Sequence, residues 1–421
     1  ISSLPRGDWL SLVNSDRVSS LLGSYGGHWS QYVMAAVLRL QKRFSDRRLR
    51  GMDLVVSGNV PPAAGLSSSS SIVVGAAEAS VAVNRLNVFP AELVDLCGEG
   101  EWFVGTRGGS ADHAAVKLGQ KGSILRVTFF DFAIEETVSL PQDCVMVVCD
   151  SGMQAEKTAN AKDQFNHRVS CYRIGLALIR RAFPRLSPRI EHLRDASAER
   201  LGLPPHWVYQ MLLRLPERAT ISELRQMLPG EDHAGLFANH EAITDGIYPI
   251  RGVVLYGLAE CERAARFASL LRENRITEIG EMMNLSHDGD RVSRFGPDGR
   301  EEAFRAPTSD GYLRGLIEDL ESREPARVRG AQLHRQPGHY GCSIPEIDRM
   351  VDISTRVPGV AGAQLAGAGL GGCMMVLVRG DAVDSLCRSL TEQYYQPAGR
   401  PPRISICRPV AGAGVLMMPP Q

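Results

Sequence analysis

The sequence predicts an α+β protein of two domains, because helical and strand-like patterns alternate along a chain long enough for two cores. Three observations support this class. The chain has 421 residues, whereas single domains rarely exceed roughly 250 residues. Hydrophobic residues make up 44% of the chain and charged residues 22%, as in ordinary globular proteins. Residues 343–421 alternate helix and strand over short intervals, which is typical of a compact α+β module.

In the first half of the chain, helical periodicity and strand-like runs alternate. Tyr32, Val33 and Ala36 recur at helical spacing, and Pro61 with Pro62 ends an apolar, strand-like run. We expect helices over 29–42, 66–83, 90–103 and 160–183, and strands over 52–60, 123–130 and 144–149.

The second half begins after a proline-rich stretch. We expect helices over 251–274, 275–292, 344–357 and 382–395, and strands over 364–366, 374–378 and 404–408. The pattern predicts an N-terminal domain over 1–183, an inserted or connecting subdomain over 184–250 and a C-terminal domain over 251–421. The Gly/Pro/Arg-rich stretch 295–340 is predicted to be a flexible insertion in the last of these.

Charge and composition favour small-molecule chemistry. The 47 Lys and Arg residues balance 47 Asp and Glu residues, so no global charge favours nucleic acid or an anionic membrane as partner. No stretch approaches the roughly 18 apolar residues of a membrane span, and the start lacks a signal-peptide pattern. We therefore expect a cytoplasmic protein. Its nine cysteines contain no CxxC pair and are expected to be buried free thiols. The sequence starts with Ile1 and not with Met, so we expect residues upstream.

The strongest chemical signal is residues 58–79, GNVPPAAGLSSSSSIVVGAAEA, where a Pro/Ala/Gly turn and five serines precede a helix. Small residues let backbone N–H groups approach a ligand, and the helix dipole favours an anion at the helix N-terminus. The segment therefore predicts a phosphate cradle, although it lacks the lysine of a P-loop. The alternative is a serine N-cap, for which one serine would suffice.

Two further segments are rich in small residues. GAGLGG at 367–372 matches GxGxxG, but a strand-like run follows it instead of the helix that a dinucleotide site requires. A close-packed glycine loop, or a tight β-turn, is the better interpretation. VGTRGGSADHAA at 104–115 places Asp112 in a setting where a carboxylate can reach a substrate hydroxyl, although a lone aspartate is usually a helix cap.

In this order, GLSSS at 65–69, GTxxGxxD at 105–112 and GAGLGG at 367–372 resemble motifs of the GHMP small-molecule kinases, and within them of the galactokinase-like sugar kinases. The resemblance implies two halves, the first like domain 2 of ribosomal protein S5 and the second ferredoxin-like, with the active site in the cleft between them. It also implies transfer of the ATP γ-phosphate to a sugar hydroxyl, in this subfamily the anomeric one.

The resemblance assigns roles by position, with ATP and Mg²⁺ as cofactors and a monosaccharide as substrate. Asp112 would face the acceptor hydroxyl as base or orienter, Gly109 and Phe165 would contact the sugar, and the Ser69 hydroxyl would bind Mg²⁺. The nucleotide would contact Ala63, Ala64, Gly65, Leu66, Ser67, Ser68, Ser69, Gly367, Gly369 and Gly371.

One missing motif and three positions depart from the family pattern. The first motif, which supplies an arginine and most sugar contacts, is not found, and we expect it upstream of Ile1. Gly100 stands where a metal-binding glutamate is usual; Glu99 and Glu101 flank it, but each is rotated by about 100° on a helix, so neither is expected to substitute. Phe165 replaces a sugar-contacting tyrosine, and Ala63 replaces a glycine.

These departures leave two alternatives to a sugar kinase. A non-catalytic sugar or nucleotide sensor that keeps the kinase fold would explain Gly100, Phe165 and the missing first motif. A nucleotide-dependent scaffold would use the basic stretch 295–340 to bind another protein.

Overall fold

The computed structural model describes residues 6–24, 28–62, 64–106, 108–129, 132–154, 159–237 and 246–416. These residues form two compact units: unit 1 comprises those within 1–140 and 408–421, and unit 2 those within 141–407. Because the units are defined by packing alone, the division of the chain at 183 and 250 into evolutionary domains stays a prediction.

Unit 1 contains six helices and a β-hairpin in its described part. The helices are α1 (Arg6–Val13), α2 (Asp16–Ser24), α3 (Ser30–Arg43), α4 (Ser68–Asn84), α5 (Pro90–Glu101) and α6 (Ala111–Leu118), and the strands are β1 (Ser123–Thr128) and β2 (Ala133–Ser139). The strands pair antiparallel, with Ser123 opposite Ser139. The predicted helices 29–42, 66–83 and 90–103 are confirmed as α3, α4 and α5.

The core of unit 1 lies between α3, α4 and α5. Val73, Ala76 and Ala77 of α4 are buried against Leu40 of α3 and Leu93 of α5. The small side chains of α4 allow its neighbours to approach closely, and this holds the N-terminus of α4 in a fixed position.

The predicted strand at 52–60 is wrong. Residues 51–62 form neither strand nor helix, and Val55 is 98% exposed. A strand is stabilised by a paired neighbour, and within the described ranges no segment pairs with this run.

Unit 2 is larger and mixes helices with short strands. Its strands are β3 (Cys144–Asp150), β4 (Ala219–Thr220), β5 (Ile247–Tyr248), β6 (Ser293–Phe295), β7 (Glu301–Ala303), β8 (Val360–Leu365), β9 (Cys373–Arg379) and β10 (Ile404–Cys407). Its helices are α7 (Ala159–Ala182), α8 (Ala198–Leu201), α9 (Trp207–Leu212), α10 (Ile221–Met227), α11 (His233–Leu236), α12 (Ile250–Arg272), α13 (Ile276–Asp290), α14 (Asp310–Leu320), α15 (Pro325–Gly330), α16 (Pro345–Thr355) and α17 (Val383–Leu390).

One core of unit 2 lies beneath a four-stranded antiparallel sheet with the order β10-β3-β9-β8. Val147 and Val376 of the sheet pack against Met350 of α16 and Leu386 of α17. The hairpin from β8 to β9 carries the GAGLGG segment, so this core fixes the position of the glycine loop.

The second core of unit 2 joins α7, α9, α12 and α14. Ile174, Leu212, Val254 and Leu313 are buried together in it. Described residues of 184–250 and 295–340 thus share a core with α7 and α12, although the status of both segments as insertions stays a prediction. The stretch 295–340 contains helices α14 and α15, which the composition did not indicate.

The nine cysteines are free thiols, and six of them are buried. The expectation of buried thiols is wrong for Cys261 and Cys407, which are exposed, while Cys387 is half-buried. Within the described ranges, no helix combines the length and apolar composition needed to cross a bilayer.

Candidate active site

The N-terminus of α4 has the backbone geometry of an anion cradle. Gly65 and Ser67 both have left-handed φ angles, of 72° and 59°, and a left-handed serine is uncommon. Among the described residues, no side chain caps the helix at Ser67, and the first N–H groups of a helix have no partner inside it. The serine N-cap alternative therefore loses its support, and the N–H groups at Ser68 and Ser69 are available to a ligand. Ala64 is buried, Leu66 is half-buried, and Ala63 lies outside the described residues.

The first turns of α4 and α6 meet at one carboxylate. The Ser70 hydroxyl donates to Oε1 of Glu101 over 3.2 Å, and Nε2 of His113 lies 3.6 Å from the same oxygen. Glu101 is the last residue of α5 and its side chain is 14% exposed, whereas that of His113 is 1% exposed. The first turn of α4, which overlaps the predicted cradle at 65–69, and the first turn of α6, which carries Asp112, therefore meet within unit 1 through Ser70, Glu101 and His113.

Asp112 is held by the connection between α5 and α6. Gly105 has a φ of 89°, which favours glycine, and Nε1 of Trp102 donates to the carbonyl of Gly108 over 3.2 Å. A Cβ at Gly98 would lie 2.7 Å from Cβ of Ser110, so α5 touches the start of α6 at a position where other residues do not fit. Asp112 itself lies in the first turn of α6 and is exposed, where a ligand can reach it.

Gly100 faces away from this cluster. A Cβ at position 100 would lie 3.3 Å from the carbonyl oxygen of Ala35 and 3.6 Å from Cβ of Arg39, both on α3. A glutamate side chain leaving this position would start towards α3 and not towards α4. The Glu99 side chain is also directed towards α3, because Nη2 of Arg39 donates to its Oε2 over 2.7 Å. Glu101 is therefore the acidic neighbour of the α4 N-terminus, a placement that the sequence did not predict.

In unit 2, GAGLGG connects β8 to β9 as a hairpin loop. Gly367, Gly369 and Gly371 have φ angles of 73°, 82° and 130°, and a Cβ at Gly369 would overlap the carbonyl oxygen of Cys342. The glycines are therefore required by backbone conformation and close packing. The predicted strand after the loop is confirmed as β9, whereas the dinucleotide-binding fingerprint has a helix at this place.

The two predicted sugar contacts lie in different units. Gly109 of unit 1 precedes α6, and a Cβ there would make ordinary contact with the Phe129 ring at 3.9 Å. Phe165 of unit 2 is half-buried on α7. Ser69 lies in the first turn of α4 and is half-buried.

Sequence reasoning missed the environment of two residues at the cluster. The side-chain direction of Glu101 follows from the rotation of α5 about its axis, which the burial of Gly98 and Gly100 determines. His113 was visible only as a polar residue beside Asp112. Both of its ring nitrogens lack a hydrogen-bond partner within the described part of the chain, and its Nε2 lies 3.6 Å from Oε1 of Glu101.

Comparison with known proteins agrees with this geometry. The family model "GHMP kinases N terminal domain" matches residues 31–120, and "GHMP kinases C terminal" matches 316–396. Galactokinase from Roseiflexus sp. is 27% identical over 390 residues, which cover 92% of this chain and 76% of the relative. Galactokinase from Dictyostelium discoideum is 25% identical over 380 residues, covering 90% and 71%.

The fold also matches a solved structure, that of Lactococcus lactis galactokinase complexed with galactose. The TM-score is 0.58 at 19% sequence identity, and the match covers 91% of this chain and 76% of the other. At this identity the match supports the fold alone. The N-terminal and the C-terminal family model thus match in their expected order along the chain, and the chain has the two-domain GHMP kinase fold.

Proposed function

We propose that this protein transfers the γ-phosphoryl group of ATP to a monosaccharide, at the anomeric hydroxyl. The observation that carries the proposal is the meeting of the α4 and α6 first turns at Glu101, with Ser70 3.2 Å and His113 3.6 Å from its Oε1. In this arrangement the first turn of α4 would form the anion cradle, and the first turn of α6 carries the exposed carboxylate of Asp112. The similarity to galactokinases over more than nine tenths of the chain supports the same reaction.

The nucleotide phosphates would be bound at the N-terminus of α4. The N–H groups of Ser68 and Ser69 have no intrahelical acceptor there, and the helix dipole adds a partial positive charge. The left-handed Gly65 and Ser67 let the backbone turn closely around a phosphate. The glycine loop at 367–372 would supply the second nucleotide contact through its backbone.

The residues at the cradle suit a magnesium ion. Mg²⁺ usually retains several waters and binds one or two carboxylates together with substrate phosphates. Glu101 supplies a carboxylate in contact with the Ser70 hydroxyl. Ser69, whose hydroxyl would be the second oxygen ligand, directly precedes Ser70 on α4. We propose that Ser69 and Glu101 would hold Mg²⁺, which when bound would neutralise charge on the phosphates.

Asp112 would orient the acceptor hydroxyl and accept its proton. Phosphoryl transfer passes through a loose transition state, so the protein mainly aligns two oxygens and compensates charge. Asp112 is exposed in the first turn of α6, next to the cluster around Glu101. Gly109 and Phe165 would contact the sugar. Because Phe165 cannot donate a hydrogen bond, the site would tolerate a different substituent on the sugar. The acceptor would therefore be galactose, arabinose, galacturonate or a related sugar.

An ADP-release assay over a panel of aldoses and uronic acids tests this function. We expect turnover with at least one sugar. Asp112→Asn should lower kcat by at least about a hundredfold, the usual contribution of a general base, while ATP binding measured by titration calorimetry stays unchanged. Asp46→Asn, an exposed aspartate of the same unit, is the matched control and should keep full activity.

Two results would contradict the proposal. ATP or sugar binding without ADP release from any sugar would favour the non-catalytic sensor. Full activity of Asp112→Asn would remove Asp112 from the reaction while leaving the kinase function intact.

A further inference from the structure

A cavity of about 320 Å³ lies within unit 2, apart from the residues assigned above to the reaction. Ligand pockets in proteins start at roughly 300 Å³, so the cavity is large enough for a small molecule or for one substituent of a larger ligand. Its polar lining consists of Gln164, His167 and Arg168 of α7, together with Arg218, Arg305 and His339.

The described lining is basic and contains no acidic side chain. Arg168 donates from Nε to the carbonyl of Tyr340 over 2.6 Å, and its Nη1 lies 3.1 Å from Nδ1 of His167. Neither contact compensates its charge. Arg305 is exposed, and within the described ranges neither it nor Arg168 forms an ion pair with a carboxylate. Like charges in one concavity produce a strong local positive potential, although the whole chain is neutral.

The walls of the cavity are held in place by contacts that involve no ligand. The His167 ring packs on that of Tyr248 at 4.3 Å between centroids. The His339 backbone N–H donates to the carbonyl of Gly252 on α12 over 2.9 Å. A site on such supported elements is preorganised, so binding costs little conformational entropy.

His339 adds a polar group that the protein itself does not satisfy. Its Nδ1 is buried and has no hydrogen-bond partner within the described part of the chain. Burial, then Arg305 and Arg168, lower the pKa of His339 to about 4, so the imidazole is neutral at pH 7 and can donate one hydrogen bond. The cavity therefore combines fixed guanidinium charges with neutral donors.

We propose that this cavity binds an oxyanion group, a carboxylate or a phosphate, of a small molecule. Guanidinium groups match both groups in geometry and form charge-assisted hydrogen bonds with them. Two sources share this chemistry: an anionic substituent of the acceptor sugar, which rests on the proposed function, or a separate small anion. Phe165, the proposed sugar contact, lies on α7 between Gln164 and Arg168, which places the first source within reach of the same helix.

Titration of the full chain with galacturonate, inorganic phosphate and galactose tests the proposal. We expect at least one of the two anions to bind and raise Tm, and its affinity to fall on going from 50 to 500 mM NaCl, because salt screens the arginine charges. Arg305→Gln should weaken anion binding about tenfold, the usual effect of losing one hydrogen bond to a charged group, and leave galactose binding unchanged. Arg314→Gln, an exposed arginine of α14 outside the cavity, is the control.

The three titrated ligands distinguish the two sources of the anionic group. If galacturonate is phosphorylated and Arg305→Gln lowers kcat/KM for it but not for galactose, the anion belongs to the substrate. If phosphate binds and galacturonate is not turned over, the ligand is a separate anion, and this result stands even if no sugar is phosphorylated. Equal anion affinity of wild type and Arg305→Gln, both with native Tm, would overturn the proposal. Arg168→Lys changes the same cavity wall but retains the positive charge, so this variant should keep part of the affinity for the anion.

Discussion

Asp290, the last residue of α13, keeps a carboxyl group inside unit 2. Its Oδ2 accepts a hydrogen bond from the Tyr256 hydroxyl over 3.0 Å, and the residue is 7% exposed. Burial, with a smaller contribution from Glu260, raises the pKa of Asp290 from 3.8 to about 7. The carboxyl group therefore takes up a proton on folding at any pH between these two values, and unfolding releases it.

This raised pKa predicts a pH dependence of stability. The native state binds more protons than the unfolded state between pH 3.8 and about 7, so the contribution of Asp290 is fully present below pH 3.8 and is lost as pH rises through 7. Asp290→Asn removes the titration. Urea unfolding of both proteins should show the variant gaining about 2 kcal/mol relative to wild type between pH 5 and pH 6.5. A constant difference would show that Asp290 is ionised in the native state throughout.

At the candidate site, residue types were predictable and directions were not. The small residues and serines of 63–69 indicated a phosphate cradle because only such residues permit close backbone approach. The left-handed φ of Ser67, by contrast, is not implied by its identity, since serine normally caps with extended backbone. The contact of Glu101 with Ser70 depends on the rotation of α5 about its axis. This rotation is fixed by the close packing of Gly100 against α3, a helix that is distant in sequence.

At the scale of elements, α3 and α5 are joined by a buried ion pair. Nη2 of Arg39 lies 2.7 Å from Oε2 of Glu99, and the two side chains are 4% and 11% exposed. Breaking a buried pair from one side leaves a charge without compensation. Arg39→Met should therefore lower the free energy of unfolding by about 3 kcal/mol, measured by urea denaturation.

Two further variants serve as controls for the stability loss of Arg39→Met. Glu99→Met added to Arg39→Met should recover part of the loss, because no lone charge then remains buried. Arg47→Met removes the exposed pair with Asp46, whose side chains are 53% and 72% exposed, and should change stability by less than about 0.5 kcal/mol. If Arg39→Met alone were as stable as wild type, water would have to reach the Glu99 carboxylate.

The helices and strands themselves were largely predictable where one face is buried. The patterns at 160–183 and 374–378 became α7 and β9 within two residues, because an apolar face against a core imposes its period on the sequence. The run at 52–60 has a similar apolar, strand-like pattern but does not form a strand. Its Val55 is exposed, and pairing with another segment is a property that no local window contains.

At the scale of the whole molecule, local patterns could not show which distant segments pack together. Residues 408–416 belong to unit 1, where the Ala413 N–H donates to the carbonyl of Val116 over 2.7 Å. The preceding strand β10 pairs with β3 in unit 2. Such contacts join positions that are more than 250 residues apart in the sequence, and their specificity comes from shape and backbone hydrogen bonds rather than from residue type.

The distribution of cysteines gives a test of the packing throughout both units. Cys97 is buried in unit 1, whereas Cys149 and Cys342 are buried in unit 2. Burial is also the main cause that raises the pKa of Cys342 to about 12 and that of Cys149 further. A thiol reacts as thiolate, so these groups are protected both by lack of access and by lack of ionisation.

Labelling with a thiol reagent at pH 8 should therefore modify Cys261 and Cys407 in the native protein, since these two are exposed. All nine thiols should react after denaturation, as counted by mass spectrometry of peptides. The Cys261→Ser, Cys407→Ser double variant should show almost no fast reaction, while its Tm stays native because neither side chain is in a core. Rapid native labelling of Cys97 would mean that the α3–α4–α5 core opens, and with it the support of the proposed phosphate cradle.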